Sequence, residues 1–189
     1  MTAVSSAVSA PTPSSLNLAP LAPDRVPELI ALARVVWQDT YSALIPQAQI
    51  DHMLAERYQP RDLAAQAGAP GPGWTVCWMT AGLEDAMVGF ACLETTDTPG
   101  EFKLDKLYVH PQAQGRGVGR ALVDWAAATA REAGGQTLVL AVNKGNTRAL
   151  AAYRAYGFRQ RAAVCRDIGH GFVMDDFIMA KPLQTAACA

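Results

Sequence analysis

The feature that most constrains this chain is a glycine-rich junction between a strand pattern and a long helix. Leu107-Tyr108-Val109-His110-Pro111 reads as a strand end, and Gln114-Gly115-Arg116-Gly117-Val118-Gly119-Arg120 leads into an alanine-rich helical run. Alternating glycines remove side chains, so backbone N–H groups can approach a ligand. The first helical turn adds unpaired donors and the positive end of the helix dipole. The guest that such a cradle expects is a phosphate or a pyrophosphate.

Spacing excludes two phosphate loops. A Walker loop needs four residues between its glycines and then Gly-Lys-Ser/Thr, a string this chain does not contain. The dinucleotide fingerprint needs Gly-x-Gly-x-x-Gly, whereas Gly115, Gly117 and Gly119 alternate and Arg120 follows. Taken alone, the glycine cluster would also suit a tight turn.

A chain of 189 residues, half of them hydrophobic, suits one domain with a substantial core. The net charge of −1 comes from mixed acidic and basic residues, which argues against a nucleic-acid surface and leaves only a local basic rim at Arg116 and Arg120. Cys77, Cys92, Cys165 and Cys188 lack metal-type spacing, so reduced thiols are expected, and His52, His110 and His170 are too scattered for a metal site. No run approaches the roughly 18 apolar residues that a membrane span requires. Residues 1–14 contain no lysine or arginine and no unbroken apolar core, which predicts a disordered tail rather than a signal peptide. The expectation is a cytoplasmic protein with one domain over 15–183, followed by a short tail at 184–189.

Periodicity predicts a strand over Leu16–Leu21 and a helix from Asp24 through Val26, Leu29, Ile30, Ala33, Val36 and Trp37. After a break at Ile45-Pro46 come a second helix, carrying Ile50, Met53, Leu54 and Arg57, and a short third over Arg61–Ala67. Gly68–Gly73 is a loop, and strands follow at Trp74–Thr80 and Met87–Thr95. In the next strand, Glu101–His110, Phe102 and Leu104 are apolar on one parity, but Leu107 and Val109 on the other. That slip predicts a β-bulge near Asp105-Lys106. A helix with Leu122, Trp125, Ala126, Thr129 and Ala130 on its core stripe ends at Gly134-Gly135, and the strand Thr137–Val142 follows. Asn146 begins another helix, which carries Tyr153 and ends at Gly157-Phe158. Two antiparallel strands, Gln160–Cys165 and Phe172–Met179, close the chain.

Val109-x-Pro111 and Gln114-x-x-Gly117-x-Gly119, followed by Asn146-x-x-Ala149-x-x-x-Tyr153-x-x-x-Gly157-Phe158, resemble the GNAT superfamily of CoA-dependent N-acyltransferases. The resemblance runs from about Ser15 to Leu183 and is most specific from Lys106 to Phe158. It implies an α/β fold whose mixed, mostly antiparallel central sheet is flanked by helices, with its fourth and fifth strands splayed to admit the acyl-pantetheine arm. It also implies acetyl-CoA as cosubstrate, no metal, and direct transfer to a primary amine in a ternary complex. On this resemblance, backbone N–H groups of Gln114, Gly115, Arg116, Gly117, Val118, Gly119 and Arg120 bind the pyrophosphate, and the main chain of Leu107 and Val109 pairs with pantetheine. The Val109 N–H polarises the acyl carbonyl, Asn146 contacts CoA, and Tyr153 protonates the leaving thiolate. Two of these residues have plainer competing roles, Asn146 as a helix N-cap and Tyr153 as a packed ring.

Where many relatives carry a glutamate base on the fourth strand, this chain has Lys103. Asp105 is the favoured replacement and Glu101 and Glu94 are the other nearby carboxylates; a carboxylate acting through water, or loss of the proton to solvent with no dedicated base, stays open. Trp37-Gln38-Asp39-Thr40-Tyr41 and Ile45-Pro46 fall where the family builds its acceptor wall, although Trp37 also fits a core stripe. Asp175 and Asp176 could attract a cationic amine or cap a strand. A small amine such as an amino acid, polyamine or amine-bearing antibiotic is favoured as acceptor, with a protein N-terminus or lysine second. A CoA-binding module without turnover is the alternative from another class. Because many relatives are dimers, a homodimer is left open.

Overall fold

Apolar patterns of period two and period 3.6 resolve into seven strands and five α-helices among residues 15–183, which the computed structural model describes. The tails expected at 1–14 and 184–189 lie outside the described residues. The strands are β1 (Leu16–Pro20), β2 (Val76–Leu83), β3 (Ala86–Thr95), β4 (Glu101–Val109), β5 (Thr137–Asn143), β6 (Arg159–Asp167) and β7 (Val173–Pro182). They form one sheet in the order β1-β2-β3-β4-β5-β7-β6. Every neighbouring pair is antiparallel except β4 and β5. A parallel pair needs a crossover, and helix α4 (Val118–Glu132) supplies it.

Side chains alternate across a strand, so consecutive residues feed opposite cores. Trp78, Phe90 and Cys92 pack with Leu29, Val36 and Ile50 of helices α1 (Val26–Tyr41) and α2 (Gln47–Arg57), beside Leu63 of α3 (Pro60–Gln66). Cys77, Ala91 and Leu93 pack on the other face with Leu122, Ala126 and Ala130 of α4 and Leu150 of α5 (Thr147–Ala155). No helix among the described residues is long and apolar enough to cross a membrane.

The parity slip in β4 is a bulge of one residue. Cys92 stands opposite Lys106 and Leu93 opposite Leu104, so Asp105 is the extra residue. The bulge keeps Phe102, Leu104, Leu107 and Val109 all on the α4 face. Pairing between β4 and β5 runs from Glu101↔Thr137 only to Lys103↔Val139, and beyond it the two strands part.

Strand ends depart from their expected places where a distant partner sets them. β2 reaches Leu83 because β1 pairs with it there, and β7 reaches Pro182 because Thr137 stands opposite that residue. At the end of α4, a Cβ on Gly135 would lie 2.6 Å from the Ala130 carbonyl oxygen and 2.7 Å from the Phe102 ring. Gly135→Ala should therefore cost about 1–3 kcal/mol of stability, read as a lower urea midpoint; an unchanged midpoint would show that the turn yields freely.

Candidate active site

A cleft of about 440 Å³ opens where β4 and β5 part. Leu104, Asp105, Leu107, Tyr108 and Val109 of β4 form one wall, Ala141 and Val142 of β5 the other, and Asn146, Ala149, Ala152, Tyr153 and Tyr156 close the α5 side. Asp39, Thr40, Tyr41 and Leu44, at the end of α1 and in the turn after it, border the opposite end.

The His110 N–H donates to the Val88 carbonyl on the β3 side at 2.8 Å. Main-chain groups of successive strand residues point to opposite edges, so those of Leu107 and Val109 point toward β5 and the cleft. The Val109 carbonyl accepts from Gln114 Nε2 at 3.1 Å, while Gln114 Oε1 is buried without a donor. An orphaned acceptor in a wall of the cleft fits an N–H of an extended amide-bearing ligand.

Beyond the strand, Gly115 has φ 77° and Gly117 φ 84°, and Gly117 is the N-cap residue of α4. Both occupy the left-handed region that glycine adopts without a Cβ penalty. At Gly119 a Cβ would come within 3.5 Å of the Tyr156 hydroxyl and 3.7 Å of Val109. The turn thus brings main chain and helix N-terminus to the cleft's edge, as an anion requires.

Tyr153 lies in the cleft with its ring edge-on to Phe158, centroids 5.7 Å apart. Burial pushes its hydroxyl well above the usual tyrosine pKa, with Tyr41 and Tyr156 adding to the effect. Tyr41 is also raised by burial, opposed by hydrogen bonding to Tyr108 and Asn146. Asn146 Oδ1 meanwhile accepts from the Ala149 N–H at 3.1 Å, so this residue caps α5 as well as facing the cleft.

Asp105, the bulged residue, is held by Lys103 and by Lys106, the latter at 2.5 Å. Burial disfavours its charge, but the two ammonium groups prevail and keep its carboxyl below the usual carboxylate range. It borders the cleft as a clamped anion, which makes it a weak proton acceptor. Glu94 also engages Lys103, at 3.5 Å.

The structure gathers Leu107, Val109, Gln114, Gly115, Gly119, Asn146, Tyr153 and Asp105 around one cleft. Glu101 is not among the lining residues: it stands at the paired end of β4 with its carboxylate on Arg161. Strand pairing holds it there, so its place does not suit a base. Arg116 is exposed, Val118 packs its side chain in the core, and Arg120 pairs with Asp124 at 2.9 Å and lies over the Tyr156 ring. The Val118 side chain is thereby taken up by packing, whereas Arg116 and Arg120 keep their cationic ends at the surface beside the turn. Trp37 is core, its ring tilted against those of Tyr41 and Tyr108 and edge-on to that of Tyr58. Tyr108, Tyr156 and the Gln114 side chain were missed as site groups. For Tyr108 the signal was its position opposite in parity to Leu107 and Val109. His52 and His170 meet at 4.7 Å, and among the described residues no group of three or more His, Cys, Asp or Glu could hold a metal ion.

Residues 37–158 match the model of a family described as acetyltransferase (GNAT) family. A mycothiol acetyltransferase of Salinispora arenicola is 31% identical over 132 residues, 66% of this chain and 42% of that protein. Its counterpart in Jonesia denitrificans is 43% identical over 72 residues, 38% of this chain and 23% of that protein. The chain thus spans less than half the length of these curated relatives. Among solved structures, the PaiA N-acetyltransferase of Thermoplasma acidophilum in complex with coenzyme A superposes with a TM-score of 0.76 at 22% identity. That match covers 89% of this chain and 99% of the other. At that identity the likeness bears on the fold alone.

Proposed function

This chain belongs to the acetyltransferase (GNAT) family, and from that premise we propose that it transfers an acetyl group from acetyl-CoA to a primary amine within a ternary complex. The observation that carries the reading is the unpaired edge of β4 at Leu107 and Val109, which opens beside the glycine turn at one end and Tyr153 at the other. The thioester is supplied by acetyl-CoA; the rest is done by this chain's residues. Backbone N–H groups from Gln114 to Arg120 and the start of α4 receive the pyrophosphate. The edges of Leu107 and Val109 pair with the pantetheine amides, and Gln114 Oε1 accepts from one of them. The Val109 N–H then points at the thioester carbonyl, where it stabilises developing negative charge.

As the C–S bond breaks, the Tyr153 hydroxyl gives its proton to sulfur. Burial raises that hydroxyl, and the same dry surroundings raise the basicity of the departing thiolate, so the transfer stays matched. No covalent acyl-enzyme is required. A small-molecule amine is the favoured acceptor, because the matching curated relatives are named mycothiol acetyltransferases. Protein amines come second. The whole is one domain over 15–183.

Calorimetric titration with acetyl-CoA tests the cradle. Gly117→Glu puts an L side chain at φ 84° and a negative charge at the N-terminus of α4. It should weaken binding by about 100-fold or more. Tight wild-type binding that this change leaves intact would move the pyrophosphate elsewhere. No wild-type binding in a folded, CoA-free sample would end the reading.

A further inference from the structure

The nitrogen that attacks a thioester must be neutral, so a carboxylate that keeps hold of a cation through the whole reaction must hold a different nitrogen. Among the described residues that line the cleft, Asp39 and Asp105 carry the only carboxylates. Asp105 is clamped by Lys103 and Lys106. Asp39 is exposed and takes part in none of the ion pairs formed among the described residues. Neither acid of β7 competes with it for a substrate: Asp175 holds Lys144, and Asp176 is 1% exposed and outside the cleft lining.

Folding itself does not favour a carboxylate at this position. Asp39 stands in the last turn of α1, at the negative end of the helix dipole, and no basic residue in that turn offsets it. Val36, Asp39 and Thr40 recur at three- and four-residue steps, so one stripe of α1 faces the cleft. The rings of Tyr41 and Tyr108 line the same end and Trp37 tilts against both. Leu44, 37% exposed, adds apolar surface in the turn beyond the helix. Ring faces attract cations, and an open leucine covers methylenes, so the surroundings of this unpaired anion suit an ammonium on an alkyl chain.

We propose that Asp39 selects amines with a second cationic centre, holding the distal ammonium of a diamine or polyamine while the other nitrogen, neutral, attacks the thioester. This rests on the acetyl-transfer reading and narrows its acceptor class. The distal ammonium donates to the Asp39 carboxylate and keeps its charge throughout. Because that contact is the same before and during the reaction, its loss falls on KM rather than on kcat.

The test compares putrescine with butylamine, which lacks the second nitrogen, and with 4-aminobutyrate, whose distal group is an anion. Wild type should prefer putrescine to butylamine by about tenfold in kcat/KM, about two from its second equivalent nitrogen and about five from an ion pair at the rim. Added salt should shrink that preference. Asp39→Asn should bring the ratio down to about two through a higher KM for putrescine. The variant should melt at or slightly above wild type, since the helix end loses an unfavourable charge. Asp39→Lys should reverse the preference and place 4-aminobutyrate above putrescine.

A wild-type ratio of about two, or a larger ratio that Asp39→Asn leaves unchanged, would overturn the proposal. A melting point several degrees lower in that variant would do the same, by making Asp39 a structural residue. Wild-type preference for 4-aminobutyrate would also overturn it and pass the selection to Arg148, the exposed cation in the cleft lining. A wild type that acetylates none of these three amines, nor glucosamine, would end the acetyl-transfer reading and this inference with it. An active wild type blind to the second charge would end this inference alone.

Discussion

Tyr153→Phe should lower kcat for acetyl transfer by about 100-fold and leave acetyl-CoA binding unchanged in calorimetry. The substitution keeps the ring, so its edge-on contact with Phe158 persists and only the hydroxyl is lost. If that hydroxyl protonates the leaving thiolate, a better leaving group should need it less. An acetyl thioester of a more acidic thiol should therefore recover part of the lost rate in the variant and gain little in wild type. Equal losses with both thioesters would reduce Tyr153 to packing. Because burial raises its pKa, the hydroxyl stays protonated past the usual tyrosine value. Tyr153 should thus place no alkaline limb on the wild-type profile in the range where most amines are assayed. Normal turnover by the variant would leave the acid unassigned, whereas an inactive wild type that binds acetyl-CoA would favour the module without turnover.

Asp105→Asn should be the most damaging change to stability, costing about 3–5 kcal/mol in urea unfolding at neutral pH. Lys106 is the reason. Its side chain is 9% exposed, its ammonium lies 5.0 Å from the Trp78 ring centroid, and Asp105 is its ion-pair partner. An amide cannot match that charge, so the variant must bury a bare ammonium or neutralise it. The pH dependence has a definite sign. The folded carboxyl titrates below the unfolded one, so its contribution is complete above the unfolded value of about 3.9 and fades as pH falls toward the folded value. Wild-type and variant stabilities should converge in acid. A variant as stable as wild type at neutral pH would show that Lys106 reaches solvent or another anion.

Both predictions centre on residues that could be singled out before any fold was known, but the sequence constrains their roles unequally. The glycine turn is a local matter: Gly115 and Gly117 occupy left-handed φ values, and the helix that begins at Val118 follows in the same stretch of chain. The bulge at Asp105 is equally local, because a slip in alternation is a signal along one dimension. Helix and strand identities followed from periodicity for the same reason, and the cap at Asn146 needs only the residues just after it.

What surrounds those residues was decided by the sheet order. Alternation says which residues share a face, but not which strand lies next to it. Asp105 was favoured over Glu101 as the base on this strand; the short β4 and β5 pairing holds Glu101 near Arg161 and leaves Asp105 at the cleft, and the folded chain then clamps Asp105 between two lysines. Tyr41, Tyr108 and Asn146 come from α1, β4 and the turn before α5, and Asp176 looked no different from Asp175 until β7 lay between β5 and β6. Strand ends moved for the same cause, when β1 met Leu83 and β5 met Pro182. The turn, the bulge, the caps and the family were legible in the residues alone, because backbone conformation and short-range spacing carry all of them. The tertiary structure alone decided charge pairing, burial and basicity, because these depend on distances through space between residues far apart in the chain.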